Sequence, residues 1–202
     1  PEIIKIIKRN IDGISKLSSE RLLDEFKKLT NSNNFLKLFE DDQSVELIEI
    51  IFPQFKNLEK FKKLNLYAKK NLLNIDFIFL LSLIVIDATD NTEYFLYKFN
   101  ISKKDQKRLK MINSFYNEGM DIKKFTEKNL NKYLYYNGNQ AVIDIINFKI
   151  FTSNKVEKKL INLIESYKDK TIPILPITAK TLMTNFNIPE GKTLGNKFKS
   201  IE

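Results

Sequence analysis

Leu17-Ser18-Ser19-Glu20-Arg21-Leu22-Leu23-Asp24-Glu25-Phe26-Lys27-Lys28-Leu29 reads as one capped amphipathic helix. Ser18 is an N-cap: its short side-chain oxygen takes up a backbone N–H of the first turn. Leu17 before it and Leu22 after it stand where a hydrophobic staple places its two residues. Leu22, Phe26 and Leu29 recur at i, i+4 and i+7, which gives one side of a helix a stripe to bury.

The same period extends outward in both directions. Ile4, Ile7, Ile11 and Ile14 keep helical spacing before this segment. After a loop over 31–34, helices are expected over 35–39 and 45–52, the second stopped at Pro53. A helix over 58–70 places Phe61, Leu64 and Ala68 on one face. A fully buried helix is expected over 75–88, because its apolar residues show no polar side. Further helices follow over 93–99, from a Ser102 cap to about residue 117, over 123–136 with a stop at Asn137-Gly138, over 140–148 and over 154–168. Two Pro-marked loops then open the last two helices, one capped by Thr178 and running through Asn185, the other opened by Pro189-Glu190-Gly191. No period-2 pattern persists. The expected fold is all-α: a multi-helix body with irregular helix packing and a small helical tail. Its expected divisions are neck helices over 1–30, body over 31–170 and tail over 171–202.

Composition excludes several chemistries. With no Cys and no His among 202 residues, there is no disulfide, no thiolate or imidazole metal site, and no imidazole base. A metal would have to be held by carboxylates alone. The net charge of +9 suits a polyanionic partner through counterion release. It also suits compositional drift, since Lys, Asn, Ile and Phe abound while Arg stands only at positions 9, 21 and 108. The longest apolar run, over 77–86, is far shorter than the ~20 residues of a membrane span. No signal peptide is visible, and a cytoplasmic location is expected. The chain starts at Pro1 without Met and reads as a piece of a longer protein.

Two segments carry a family resemblance. In the first, Glu20, Arg21, Glu25 and Lys28 keep a Ser-x-Glu-Arg-x-x-x-Glu-x-x-Lys pattern. The second is the tail, Ile172-Pro173-Ile174-Leu175-Pro176-Ile177-Thr178-Ala179-Lys180-Thr181-Leu182-Met183 and then residues 187–202. Both resemble the C-terminal neck, body and tail of the bacterial CCA-adding tRNA nucleotidyltransferase and poly(A) polymerase family. Asn187 stands where Gly is usual in that pattern, and Ala179 and Thr181 where Gly and Asp are common. The resemblance implies a parent enzyme that adds CMP and AMP to RNA 3′ ends with magnesium and ATP or CTP. It places that chemistry on an N-terminal head bearing an Asp-x-Asp pair and a Glu-Asp-x-x-Arg helix. Neither motif occurs here, so this piece is expected to be inactive alone, with no catalytic and no metal-binding residue of its own. Its implied partners are tRNA or other RNA and its own head domain, with no membrane.

Candidate site residues follow from both segments. Arg21 can pair with Glu25 at i,i+4 or Asp24 at i,i+3. Bracing of the neck is the favoured reading of this network, direct contact with nucleotide or RNA the other. On the last helix Leu194, Phe198 and Ile201 share one face and Lys192, Asn196 and Lys199 another, so Lys192, Gly195, Asn196 and Lys199 are the candidate RNA contacts. Gly195 costs ~1 kcal/mol relative to Ala mid-helix. Close helix packing is the favoured reason, close approach of a phosphate the alternative. Tyr133 and Tyr136, beside Lys132, are expected to pack on the core, with base stacking as the lesser reading. Gly191-Lys192-Thr193 is no P-loop, since Phe186 stands where that motif needs Gly. Glu40-Asp41-Asp42 reads as a charged helix start. The rival function is a self-standing helical module that binds protein.

Overall fold

In the computed structural model, residues 2–32, 35–172 and 177–201 are described, and no strand forms among them. The neck contains α1 (Glu2–Arg9), α2 (Ile11–Ser15) and α3 (Ser19–Thr30). The body contains α4 (Phe35–Glu40), α5 (Asp42–Ile51), α6 (Leu66–Asn71), α7 (Phe77–Val85), α8 (Asn91–Lys98), α9 (Lys103–Asn117), α10 (Glu127–Asn137), α11 (Asn139–Thr152) and α12 (Lys158–Lys168). Short 3-10 turns cover Leu58–Lys63, Leu72–Asn74 and Ile122–Lys124. The tail is α13 (Ala179–Phe186) and α14 (Lys192–Ile201).

Helix α7 is the centre of the body. It has no polar side: Phe79 through Val85 are all buried, and even Ser82 returns its hydroxyl to the Phe79 carbonyl at 2.6 Å. A helix apolar all round must be surrounded. Helices α9 and α11 pack on α7, α10 and α12 flank α11, and α8 lies on α9. Beside them, the rings of Phe26, Phe52, Phe55, Phe95 and Phe99 form a contiguous layer. Phe52 and Phe55 stack at 4.6 Å, and Phe26 and Phe95 meet Phe55 at 4.8 and 6.1 Å. This layer fastens the neck to the body.

Several expected boundaries shift, each for a local reason. The helix expected over 58–70 breaks into a 3-10 turn and α6. Asn65 caps α6 by accepting the Ala68 N–H at 2.8 Å, while its amide donates to the Ile150 and Ser153 carbonyls at 2.7 and 2.8 Å. Helix α10 starts at Glu127 because Thr126 caps it, and α12 starts only at Lys158. On α3 the buried pair is Leu23 and Phe26. Leu22 is half-buried, while Leu17 and Leu29 remain 39 % and 41 % exposed. The stripe is therefore turned by one residue, because Leu23 adds apolar surface on the side of Phe26. Of the early isoleucines, Ile7, Ile11 and Ile14 are half-buried, and the side chain of Ile4 lies outside the described residues, as do residues 33–34 of the expected loop.

Candidate nucleic-acid interface

The tail builds its own surface. Thr178 caps α13 by accepting the Thr181 N–H at 3.1 Å. Asn187 ends α13 in the left-handed region at φ 54°, a conformation that Asn, after Gly, adopts most readily. The departure from the family's Gly is thus absorbed. Helix α14 returns against α13, burying Leu194 and half-burying Phe198; the side chain of Ile201 and residues 173–176 lie outside the described residues. Lys192, Gly195, Asn196 and Lys199 are all exposed.

Gly195 corrects an expectation. Close packing was the favoured reason for it, yet among the described residues a Cβ built there meets nothing within 4 Å. No neighbouring helix needs the missing side chain. Gly195→Ala is therefore expected to raise stability by up to ~1 kcal/mol, read as a higher urea midpoint; a destabilised variant would mean that packing does use this position.

On α3, Ser18 accepts the Arg21 N–H at 3.3 Å, the expected cap. The ion pair on this helix joins Lys28 to Glu25 at 2.9 Å. Lys28 holds the Glu25 carboxyl below its ordinary range, and Arg21 adds only a weaker, more distant effect. Arg21 makes no ion pair with Asp24 or Glu25, because the shorter i,i+3 arrangement gives Glu25 to Lys28. Lys27 lies over the Phe77 ring at 5.6 Å, a cation–π contact from neck to body. At the start of α5, Asp41 accepts the Ser44 N–H and hydroxyl at 2.8 and 2.6 Å, and these bonds keep its carboxyl ionised to lower pH than usual.

Charge is distributed unevenly. Residues 60–170 carry 21 Lys and Arg against 12 Asp and Glu, whereas residues 1–59 carry 9 against 11. Most of the basic excess lies after residue 59. There the two tyrosines separate. Tyr133 packs edge-on against Phe115 at 5.5 Å, and burial raises its hydroxyl pKa. Tyr136 is 48 % exposed and meets the Tyr135 ring edge-on at 4.9 Å.

The most elaborate polar cluster was not legible in sequence. Arg108 of α9 donates from Nε and Nη2 to the Asp144 carboxylate of α11 at 2.5 and 2.8 Å. Its Nη1 and Nη2 also donate to Asp76 at 2.8 and 2.6 Å. Asp76 caps α7 through the Ile78 and Phe79 N–H groups, and Gln140 donates to Asp144 at 2.9 Å. One guanidinium thus ties three helices. Burial raises the Asp144 pKa despite Arg108, whereas at Asp76 the arginine and the backbone donors outweigh burial and lower it. The only sequence signal was the rarity of Arg, the residue suited to two-pronged carboxylate binding.

Among the described residues no group of three or more acidic side chains could hold a metal. The buried carboxylate of Asp144 and the half-exposed one of Asp76 are both taken by Arg108, so the two-metal chemistry that the resemblance implies does not fit the residues here. No described helix is long and apolar enough to cross a membrane.

Residues 1–59 match the family model described as the probable RNA and SrmB-binding site of polymerase A. The match bears out the resemblance over those residues, which include the neck helix α3. No curated protein matches the chain significantly.

Proposed function

We propose that this chain is the RNA-holding portion of a nucleotidyltransferase that adds CMP and AMP, or adenosines, to RNA 3′ ends, the catalytic head lying outside these 202 residues. The match of residues 1–59 carries the reading. The basic excess of the body and the exposed Lys192 and Lys199 of α14 support it. Lysines of this kind grip phosphates, which position an RNA without reading its sequence. Arg21, Asp24 and Glu25 act in this reading as bracing of the neck beneath the head, with Arg21 working through its field rather than an ion pair.

Lys192→Gln/Lys199→Gln is expected to weaken tRNA binding similarly across tRNA sequences. The magnitude of the salt slope should fall by somewhat less than one unit per lost phosphate contact, with unchanged thermal stability. Unchanged affinity at low salt would remove the tail from the RNA grip. Gly195→Ala adds a second readout: weaker RNA binding in a more stable protein would place a phosphate against Gly195.

One observation favours a second reading for residues 1–59. The description of the matched family names SrmB beside RNA, and residues 1–59 carry more acidic than basic residues. On that reading residues 1–59 dock a protein while the later helices and the tail hold RNA. Charge-reversing Asp24 and Glu25 to Lys separates the two: RNA affinity that rises at equal stability places RNA against this helix, and unchanged RNA affinity supports protein docking there.

A further inference from the structure

Helix α10 presents Asn129, Lys132, Tyr133 and Tyr136 at i, i+3, i+4 and i+7, hence on one side. They line a groove of about 350 Å³, with Phe115 and Lys124 also on its walls. Asn137 lines this groove and also a second of about 600 Å³, which Lys104, Lys107 and Arg108 border. The two hollows therefore meet at the end of α10.

The charges along this track are unequally free. Each acid on its walls is engaged: Asp76 and Asp144 by Arg108, Asp105 by the Ser102 hydroxyl at 2.7 Å, and Glu118 by Lys124 at 3.7 Å. Lys104, Lys107 and Lys132 are exposed and have no ion-pair partner among the described residues. Three ammonium groups without an ion-pair partner thus follow the path, whose walls carry five cations in all against the four carboxylates of Asp76, Asp105, Glu118 and Asp144. Beside them stands the Tyr136 ring, half in solvent, with Tyr135 edge-on behind it; Tyr133 is fixed on Phe115. An exposed ring held by a neighbour loses little freedom when a second flat group stacks on it.

We propose that this track binds single-stranded RNA, with a base stacked on Tyr136 and phosphates at Lys104, Lys107 and Lys132. The assignment deepens the RNA-holding reading and rests on it. A flat ring beside free cations suits a strand with unstacked bases, whereas a duplex hides its base faces. Tyr136 then holds one nucleotide and the lysines hold the backbone on either side.

The test measures binding of a labelled oligo(A) twelve-mer to the full 202-residue chain by fluorescence anisotropy across a salt series. Tyr136→Ala is expected to weaken binding roughly five- to a hundred-fold, the range of one lost base stack, while Tyr136→Phe stays near the parent because stacking needs no hydroxyl. Lys104→Gln/Lys107→Gln/Lys132→Gln should lower the magnitude of the salt slope by about two units, at about 0.7 per single-strand phosphate. The equal charge loss Lys158→Gln/Lys159→Gln/Lys168→Gln on α12 should lower it by clearly less. A parent chain that binds no RNA at low salt would overturn the RNA-holding reading and this site with it. A parent that binds RNA while Tyr136→Ala and the track lysine variant bind equally well would overturn the site alone. So would equal losses in the two lysine variants, or AMP binding that depends on Tyr136 when oligo(A) binding does not.

Discussion

Arg108→Met is expected to destabilise the protein by about 3–5 kcal/mol at neutral pH, the usual cost of leaving a buried charge without its partner. Asp144 is only 1 % exposed, and its other side-chain donor is Gln140. The pH dependence gives the loss a signature. A carboxyl whose folded pKa lies above its unfolded value opposes folding at neutral pH, and that cost fades as pH falls through the folded pKa. Asp144 is such a group already, and losing Arg108 raises it further. Asp76 acts the other way: its lowered pKa contributes stability above its unfolded value, which is lost as pH falls through the folded one. In Arg108→Met, Asp76 loses that advantage and Asp144 gains a larger penalty. The gap between variant and parent should therefore be widest near neutrality and narrow on acidification. Arg108→Met/Asp144→Leu should recover most of the loss, since an apolar replacement of a buried pair is often neutral. Urea midpoints across pH check this; an Arg108→Met midpoint matching the parent at pH 7 would show that the cluster does not organise the body.

That cluster also marks how far the sequence could be read. Features closed within one turn were legible. Ser18, Ser102 and Thr178 each cap the helix expected of them, Asn137-Gly138 stops α10, and the apolar run at α7 is the buried helix. Features that depend on distant partners were not. Arg108 finds its carboxylates 32 and 36 residues away. The break before α6 rests on Asn65 reaching the end of α11, 85 and 88 residues further on. Apolar spacing over 58–70 says nothing of that bond, so one long helix was the natural expectation. The exposed side of α14 was legible as well, because alternating faces on one helix are local information. The reason for Gly195 depends on what lies opposite, which no spacing reveals. Lys104 and Lys107 were hidden for the opposite reason: in a Lys-rich body, a free lysine and a paired one look alike until their neighbours are known.

A peptide of residues 1–59 is expected to remain unfolded, although those residues match a family model as a unit. The match ends at Glu59, inside the 3-10 turn Leu58–Lys63, and the packing does not stop there. Phe55, 1 % exposed, has Phe95 against it at 6.1 Å as well as the nearer Phe26 and Phe52, and Phe52 meets Phe99 at 5.8 Å. Phe26 meets Phe77 at 6.2 Å. The backbone is tied as well: the Asn57 N–H and side-chain amide donate to the Ile84 and Ile86 carbonyls at 3.1 and 2.6 Å, at the end of α7. Cut at residue 59, the segment would expose these rings to water and leave the Asn57 donors without their carbonyls. Chains of about 60 residues bury only about 60 % of their surface even when complete, so none can forgo its central aromatic layer. In the whole chain, Phe55→Ala should cost about 3–5 kcal/mol, as large-to-small changes at a filled aromatic site do. Circular dichroism of the peptide, beside urea unfolding of Phe55→Ala, measures both. A helical, cooperatively melting peptide would make residues 1–59 a domain in their own right. An unfolded peptide means that whatever the neck binds, RNA or protein, it binds as a surface held in place by α7 and α8, so that loss of binding on truncation at residue 59 would report lost folding rather than lost contacts.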